Sequence, residues 1–414
     1  MRASKEHSGK APEAGNFPLF GGGEGAHRTV AVETVTNPVD VSGSAKRLLN
    51  TALARASLAQ GDPHVEALPR VLFVELTRFC NLSCPMCRER GTIPMNQRMS
   101  RDLFERIAQE LFPTAELVDL RGWGESLILP EFPERARRVR VQGCDLRVVT
   151  NLSFKRPAVL ELLADLEAHV SVSIDAASPE LVRWIRGGAD IGRIVANIKQ
   201  LAEAYRQRGL EDRLCAYVTC QRPAIEELPA LLDLLADAGV TRMLLAPVRV
   251  SADSPLSLCG TGERLQELLC HVSERATVLG VEVGLAASLF EGHRPREDST
   301  PCSHPWYYCY LAYDGRVGFC DHLIGPHGDP YIMGDLRKNS FHEIWNGPGW
   351  QQLRAEHLGL RRGEAPLFAE CAWCYRNRHI DFEHVLDPEL ASARTLLASI
   401  SPLSQSQRRS IDEG

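Results

Sequence analysis

The chain has 414 residues, a formal net charge of −6 and 44% hydrophobic residues. That is enough apolar material for one large α/β domain plus a smaller module, and it gives no global basic field of the kind nucleic-acid binders use. The first residues carry no apolar signal segment and no apolar run is long enough to span a bilayer, so the reading is a soluble, cytoplasmic protein with no membrane or nucleic-acid partner. Thirteen cysteines are unusual in such a compartment. A reducing cytosol disfavours structural disulfides, so clustered cysteines point first to metal or catalytic sites.

Residues 1–45 are rich in Gly, Ala, Glu, Ser and Thr and read as a disordered tail; FGGGEGAH has no strand before it and does not read as a phosphate loop. Residues 46–69 form a lead-in, with an amphipathic helix over 46–59. From residue 70 strands and helices alternate. Strand patterns fall at RVLFVELT (70–77), AELVDLRG (115–122), CDLRVVTN (144–151), HVSVSID (169–175), RLCAYVTC (213–220) and TRMLLAPV (241–248), with VEVGL (281–285) a possible seventh. The helical stretches between them open at Ser or Pro and end near Gly, as capping requires. Six βα units imply parallel strands with right-handed crossovers: a partial (β/α)6 TIM-type barrel over 70–290, or a doubly wound sheet.

The regularity ends near residue 295. Residues 295–385 are rich in Cys, His, Trp, Gly and Pro, with short helices, and read as a small module held together by a metal site. Residues 386–414 read as a helix and a loose tail.

The stretch FCNLSCPMCRERG places Cys80, Cys84 and Cys87 within eight residues, just past the first strand. In such barrels the C-terminal strand ends carry the chemistry. Four thiolates would close a metal site; three leave one coordination position for a substrate or cofactor. A structural zinc site completed by a distant ligand is the plainer alternative. A second set lies in the module: Cys302, Cys320, and the CAWC pair Cys371 and Cys374, the ligand count of a closed four-thiolate site, iron–sulfur or zinc.

The CxxxCxxC spacing resembles the radical SAM family. The resemblance covers about residues 70–285 and implies that Cys80, Cys84 and Cys87 hold a 4Fe–4S cluster whose open iron binds S-adenosylmethionine (SAM). It implies further that Met86 meets the adenine. RGWGESLILP resembles the family's GGE motif, so Gly124 and Glu125 would approach the methionine amino group. Thr150 and Asn151 in TNL would lie near the ribose or reacting centre. Ser173 and Asp175 in SVSIDA would line the pocket, although a strand-end aspartate is also a common helix cap. Arg186 in WIRGG would lie near the methionine carboxylate. The order CxxPW, DGxVxxC, MGDL, EIW, CxxC resembles the Twitch and SPASM modules of the same family. It implies one auxiliary 4Fe–4S cluster on Cys302, Cys320, Cys371 and Cys374, with Cys309 as a spare.

Cys220 ends the fifth strand, at the face where these motifs converge. A thiol there is a candidate hydrogen-atom donor to a substrate radical; otherwise it is a small buried hydrophobe. Cys144, Cys215, Cys259 and Cys270 keep the latter reading, and no proton acceptor stands out among Arg249, His304, Asp321 and His322. No winged-helix peptide-recognition module precedes the barrel pattern. The resemblance therefore points to dehydrogenation or epimerisation of a hydroxyl-bearing carbon in an aminoglycoside or aminocyclitol, a sugar-like small molecule of antibiotic biosynthesis, with flavodoxin or ferredoxin as electron donor. Peptide maturation is the alternative enzyme reading, and a zinc-binding scaffold the alternative of another class.

Overall fold

Period-two alternation along each strand decides which face of a sheet a residue takes. The computed structural model describes residues 43–87, 95–286, 289, 302–320, 331–359 and 371. The tail reading of residues 1–42, the C-terminal helix and Cys374 lie outside them.

All six strand patterns form strands, and so does VEVGL. β1 Val71–Val74, β2 Leu117–Asp119, β3 Asp145–Thr150, β4 His169–Ser173, β5 Leu214–Cys220, β6 Arg242–Pro247 and β7 Glu282–Leu285 pair in chain order. Every pair is parallel. The lead-in helix, α1 Gly43–Gln60, is longer than its pattern. α2 Arg101–Glu110 starts where the Ser100 side chain accepts from the Leu103 amide. α3 Phe132–Val141, α4 Pro157–Asp165 and α5 Pro179–Ile185 carry a proline in the first turn, where its missing N–H costs nothing. α6 Ile191–Arg206 is capped by Asp190. α7 Leu228–Asp237 follows β5, and α8 Gly262–Leu279 follows β6. α8 escaped the sequence reading although its buried Leu265, Leu268, Leu269, Val272 and Ala276 keep helical spacing.

The helix-facing strand positions, among them Leu72, Val118, Val148, Val172, Val218 and Leu245, are fully buried against Ile107, Val139, Leu163, Ile198 and Leu235. Each contributes roughly 1.5–3 kcal/mol on burial. The inner face differs along its length. Phe73, Asp119, Arg147 and His169 stand in one row across β1–β4. On β5–β7 the inner side is mostly apolar: Cys215, Tyr217, Leu244, Ala246 and, just past β7, Ala286 cluster there.

The C-terminal segment enters the same sheet. β8 Tyr308–Leu311 pairs parallel with β1, and β9 Arg316–Gly318 and β10 Ile332–Asp335 continue antiparallel, giving the order β10-β9-β8-β1-β2-β3-β4-β5-β6-β7. α9 His304–Tyr307, α10 Phe341–Trp345 and α11 Pro348–Gly359 complete the described part. Beside the metal site expected of it, this segment has an aromatic core of its own: Trp306, Trp345 and Trp350 are fully buried. Their indole N–H groups donate to the carbonyls of Asp62 (3.1 Å), Ala67 (2.8 Å) and Pro305 (2.9 Å). Residues 62–70 of the lead-in therefore act as a structural member of the C-terminal segment. Cys309 pairs with Leu72 on the helix-facing side and is fully buried, which pushes its thiol pKa well up and makes it a core residue rather than a spare ligand.

Candidate active site

The cysteine loop leaves β1 and is fixed by backbone before any side chain acts. The Thr77 hydroxyl donates to Gln97 O at 2.8 Å and accepts from the Phe79 amide at 2.9 Å. The Gly124 and Glu125 amides donate to Thr77 O and Phe79 O at 3.2 and 2.9 Å. A Cβ on Gly124 would lie 2.4 Å from Phe79 O, so only glycine lets the β2 end come this close. On the other side the Ser83 amide donates to Gly187 O at 3.2 Å. A Cβ on Gly187 would meet the Ser83 carbonyl carbon at 2.1 Å, and its φ of +51° also favours glycine. WIRGG drew notice only for its arginine; the glycine after it seats the loop.

Cys80, Cys84 and Cys87 are all half-buried and free of disulfides. Burial pushes the Cys80 thiol up to about 12, with Glu125 and the other two cysteines adding to the rise. Burial also raises the Cys84 thiol, while the neighbouring Arg186 guanidinium, hydrogen-bonded to it, pulls it back. Thiols so poised need a strong Lewis acid to become thiolates. Among the described residues no three Cys, His, Asp or Glu side chains gather around a point that would hold a metal ion. A 4Fe–4S cluster takes one thiolate per iron, so a loop offering three thiols leaves its fourth iron open. Three thiols on a glycine-seated loop, with hydrogen-bond donors beside two of them, fit the cluster.

Around the loop the strand ends supply polar groups. Glu125 is buried, and burial raises its pKa to about 7 against three hydrogen bonds. Its Oε1 accepts from Thr150 Oγ1 (3.0 Å) and the Leu127 amide (3.2 Å), and Oε2 from the Asn151 amide (2.8 Å). It thus ties the β2 end to the β3 end. Asn151 Nδ2 points to Cys80 Sγ at 3.7 Å and Asn81 Oδ1 at 3.0 Å. Asp175, also buried, accepts from Arg186 Nη2 and the Thr219 amide, both at 2.7 Å. Burial raises the Asp175 pKa while Arg186 lowers it; burial works against the Arg186 charge, but Asp175 and Cys84 outweigh it. The helix-cap alternative for Asp175 fails. Glu227 holds the turn ahead of α5 instead, accepting from the Ala177 and Ser178 amides at 2.7 and 2.9 Å and from the Ser178 hydroxyl at 2.6 Å. Ser173 is half-buried on the inner face beside Tyr217, and Met86 packs partly buried against the core.

Cys220 is placed differently from its expectation. It is 1% exposed and belongs to the helix-side core, in step with Ala216 and Val218, whereas Tyr217 and Thr219 alternate to the other face. Burial, with Asp175 adding to it, keeps its thiol protonated far above neutrality. This placement weighs against a hydrogen donor to a substrate on the inner face. In the C-terminal segment Cys302 is half-buried with Sγ 3.3 Å from His304 Nδ1, whose ring stacks on Tyr308 at 4.1 Å. Cys320 and Cys371 are buried. Arg249 is exposed; Asp321 and His322 fall outside the described residues.

Sequence reasoning missed Glu75. It lies at the β1 end, buried, and burial raises its pKa. Its Oε1 accepts from the Trp123 amide and the Tyr310 hydroxyl, both at 3.1 Å, so one carboxylate joins β1, the β2 end and β8. A charged residue inside a strand pattern was the available signal.

Comparison with known proteins agrees with this geometry. Residues 74–217 match the radical SAM superfamily, and residues 302–375 match the SPASM iron–sulfur cluster-binding domain, whose bounds enclose Cys302, Cys320, Cys371 and Cys374. The chain therefore carries a radical SAM domain followed by a SPASM domain, and these two domains imply SAM, a SAM-binding 4Fe–4S cluster and auxiliary iron–sulfur as cofactors. Its relatives include a tungsten-containing aldehyde ferredoxin oxidoreductase cofactor-modifying protein of Pyrococcus furiosus, 27% identical over 43% of this chain; the match spans about half (51%) of that protein's length. The AdoMet-dependent heme synthase of Methanosarcina barkeri is 24% identical over 74% of this chain and 91% of its own. The PqqA peptide cyclase of Xanthomonas campestris is 22% identical over 76% and 81%. Streptococcus suis SuiB bound to its precursor peptide SuiA shares the fold at a TM-score of 0.58 and 14% identity, over 74% of this chain and 71% of that one. None of these four is named for an aminoglycoside or aminocyclitol.

Proposed function

We propose that this enzyme oxidatively modifies a peptide. The observation that carries the reading is the run of similarity to a peptide cyclase through both domains, over 321 residues. The insertion of β8 beside β1 supports it, because it sets the C-terminal segment against the radical-forming end of the barrel. The aminoglycoside or aminocyclitol reading becomes the competing outcome, since its support is the sequence resemblance alone.

In this reading Cys80, Cys84 and Cys87 hold the SAM-binding cluster, and Cys302, Cys320, Cys371 and Cys374 hold one auxiliary cluster. When bound, the SAM-binding cluster with SAM would supply hydrogen-atom abstraction from a substrate carbon, and the auxiliary cluster would take the remaining electron as the second hydrogen leaves as a proton. The chain's own residues orient and enclose. Met86, Gly124, Glu125, Thr150, Ser173 and Arg186 border the SAM site. Asp175 keeps Arg186 beside Cys84, and Glu125 keeps the β2 and β3 ends at fixed spacing. The apolar inner side of β5–β7 excludes water from the reacting carbon. A flavodoxin or ferredoxin in the cytoplasm provides the electron.

The test is turnover by the anaerobically reconstituted enzyme with SAM and reductant. One arm uses short peptides encoded beside its gene; the other uses aminocyclitols and aminoglycosides. The expected result is substrate-dependent 5′-deoxyadenosine and a peptide lighter by two hydrogens. Turnover confined to the cyclitol arm rejects the peptide reading.

A further inference from the structure

Among the described residues near the cysteine loop, one in the turn that follows β3 has a backbone outside the usual regions for its type. Leu152 has φ +48°, and it is fully buried. A leucine in the left-handed region persists only where its surroundings impose it. The imposing group is Asn197, from the middle of α6. Its Nδ2 donates to Leu152 O and to Phe154 O, both at 2.8 Å. The turn between these anchors is saturated. The Leu152 amide donates to Thr150 Oγ1 at 3.2 Å and the Ser153 amide to Asn151 Oδ1 at 2.7 Å. Asn81 Nδ2 donates to Ser153 O at 2.9 Å, and the Asp190 amide to Ser153 Oγ at 3.3 Å. With its carbonyl end used by Ser153, the Asn151 amide has its NH2 group aimed at Cys80 Sγ (3.7 Å) and Asn81 Oδ1 (3.0 Å).

We infer that Asn197 is a positioning residue: by holding Leu152 left-handed it aims the Asn151 NH2 at the Cys80 sulfur and so tunes the cluster on that sulfur. Asn197 touches neither cysteine nor SAM site and acts only through the turn. A donor to a ligating sulfur stabilises the more negative, reduced cluster and raises its potential. It also holds the loop in the geometry that binds SAM. The inference rests on the proposal that Cys80 is a cluster ligand.

The experiment uses the full-length, anaerobically reconstituted protein and follows the SAM-sensitive component of its reduced EPR signal. Asn197→Ala is expected to lower the reduced-to-oxidised ratio of that component about tenfold at fixed potential, and to weaken SAM binding about tenfold. Adding Leu152→Gly should recover both, because glycine takes φ +48° unaided. Asn151→Ala should cause the same loss, and Leu152→Gly should not recover it. If Asn197→Ala does not fold, Asn197→Asp, which keeps the shape without the donor, replaces it. A variant with a lower melting temperature but an unmoved ratio overturns the inference, as does a loss that Leu152→Gly fails to recover. A wild-type protein with no SAM-sensitive signal instead overturns the cluster reading, and this inference with it.

Discussion

The cysteine loop and the C-terminal segment are both small, cysteine-bearing and poor in regular structure, yet they are held by different means. The loop is held by backbone: Gly124 and Gly187 bring two neighbouring chain segments within a hydrogen bond of it. The C-terminal segment is held by large side chains that reach carbonyls of residues 62–70, far away in sequence. A loop seated by glycine admits no added methyl, whereas a segment seated by tryptophan and arginine tolerates surface change but not loss of an anchor.

Substitutions test that contrast, the largest effect first. Gly187→Ala should cost about 3 kcal/mol or more, because the methyl meets backbone that cannot step aside and φ is wrong for alanine. Urea unfolding and iron content of the reconstituted protein should both show it; a wild-type midpoint with full iron would mean that the loop is loosely seated. His169, on the inner row beside Arg147, has its pKa lowered to about 4 by burial, with Arg213 and Arg147 adding to the effect. A histidine with a depressed folded pKa binds fewer protons than in the unfolded chain. Its contribution is present above pH 6.5 and lost as pH falls towards 4, a span on the order of 3 kcal/mol. His169→Asn should flatten that part of the stability–pH curve, and an unchanged slope would place the effect elsewhere.

In the C-terminal segment, Arg354 is fully buried, donates to Pro305 O and Pro63 O at 2.9 Å each, and lies over the Trp345 ring at 4.5 Å. Arg354→Leu should cost about 2 kcal/mol by stranding these carbonyls, and should make the segment sensitive to protease before the barrel is. Simultaneous loss of both would show that the two parts unfold as one. Tyr310→Phe removes the hydroxyl that Glu75 accepts and should cost about 1 kcal/mol with wild-type iron content; a loss of iron would give this contact a larger part in cluster retention.

The same contrast explains what the sequence made legible. The strands themselves, their parallel crossovers and the place of the cysteine loop followed from periodicity and spacing, which are local. The β1–β8 pairing joins residues more than two hundred positions apart, and nothing in YYCYL names its partner strand. The side chain of Cys220 faces the helix-side core for a related reason: reaching a strand end is a matter of position, but facing inward is a matter of parity. Parity follows from register, which the neighbouring Tyr217 and Thr219 reveal only once the sheet is formed. Glu75 and Asn197 matter through partners on other elements, so their chemistry was visible and their role was not.

The central claim is that three cysteines of one loop hold a cluster with an iron left open for SAM. It is tested most directly by EPR of the reduced protein with and without SAM, in wild type and in Cys84→Ala. The account predicts a 4Fe–4S signal that changes when SAM is added, and the loss of that component in the variant. A signal indifferent to SAM, or one that survives Cys84→Ala unchanged, would contradict it.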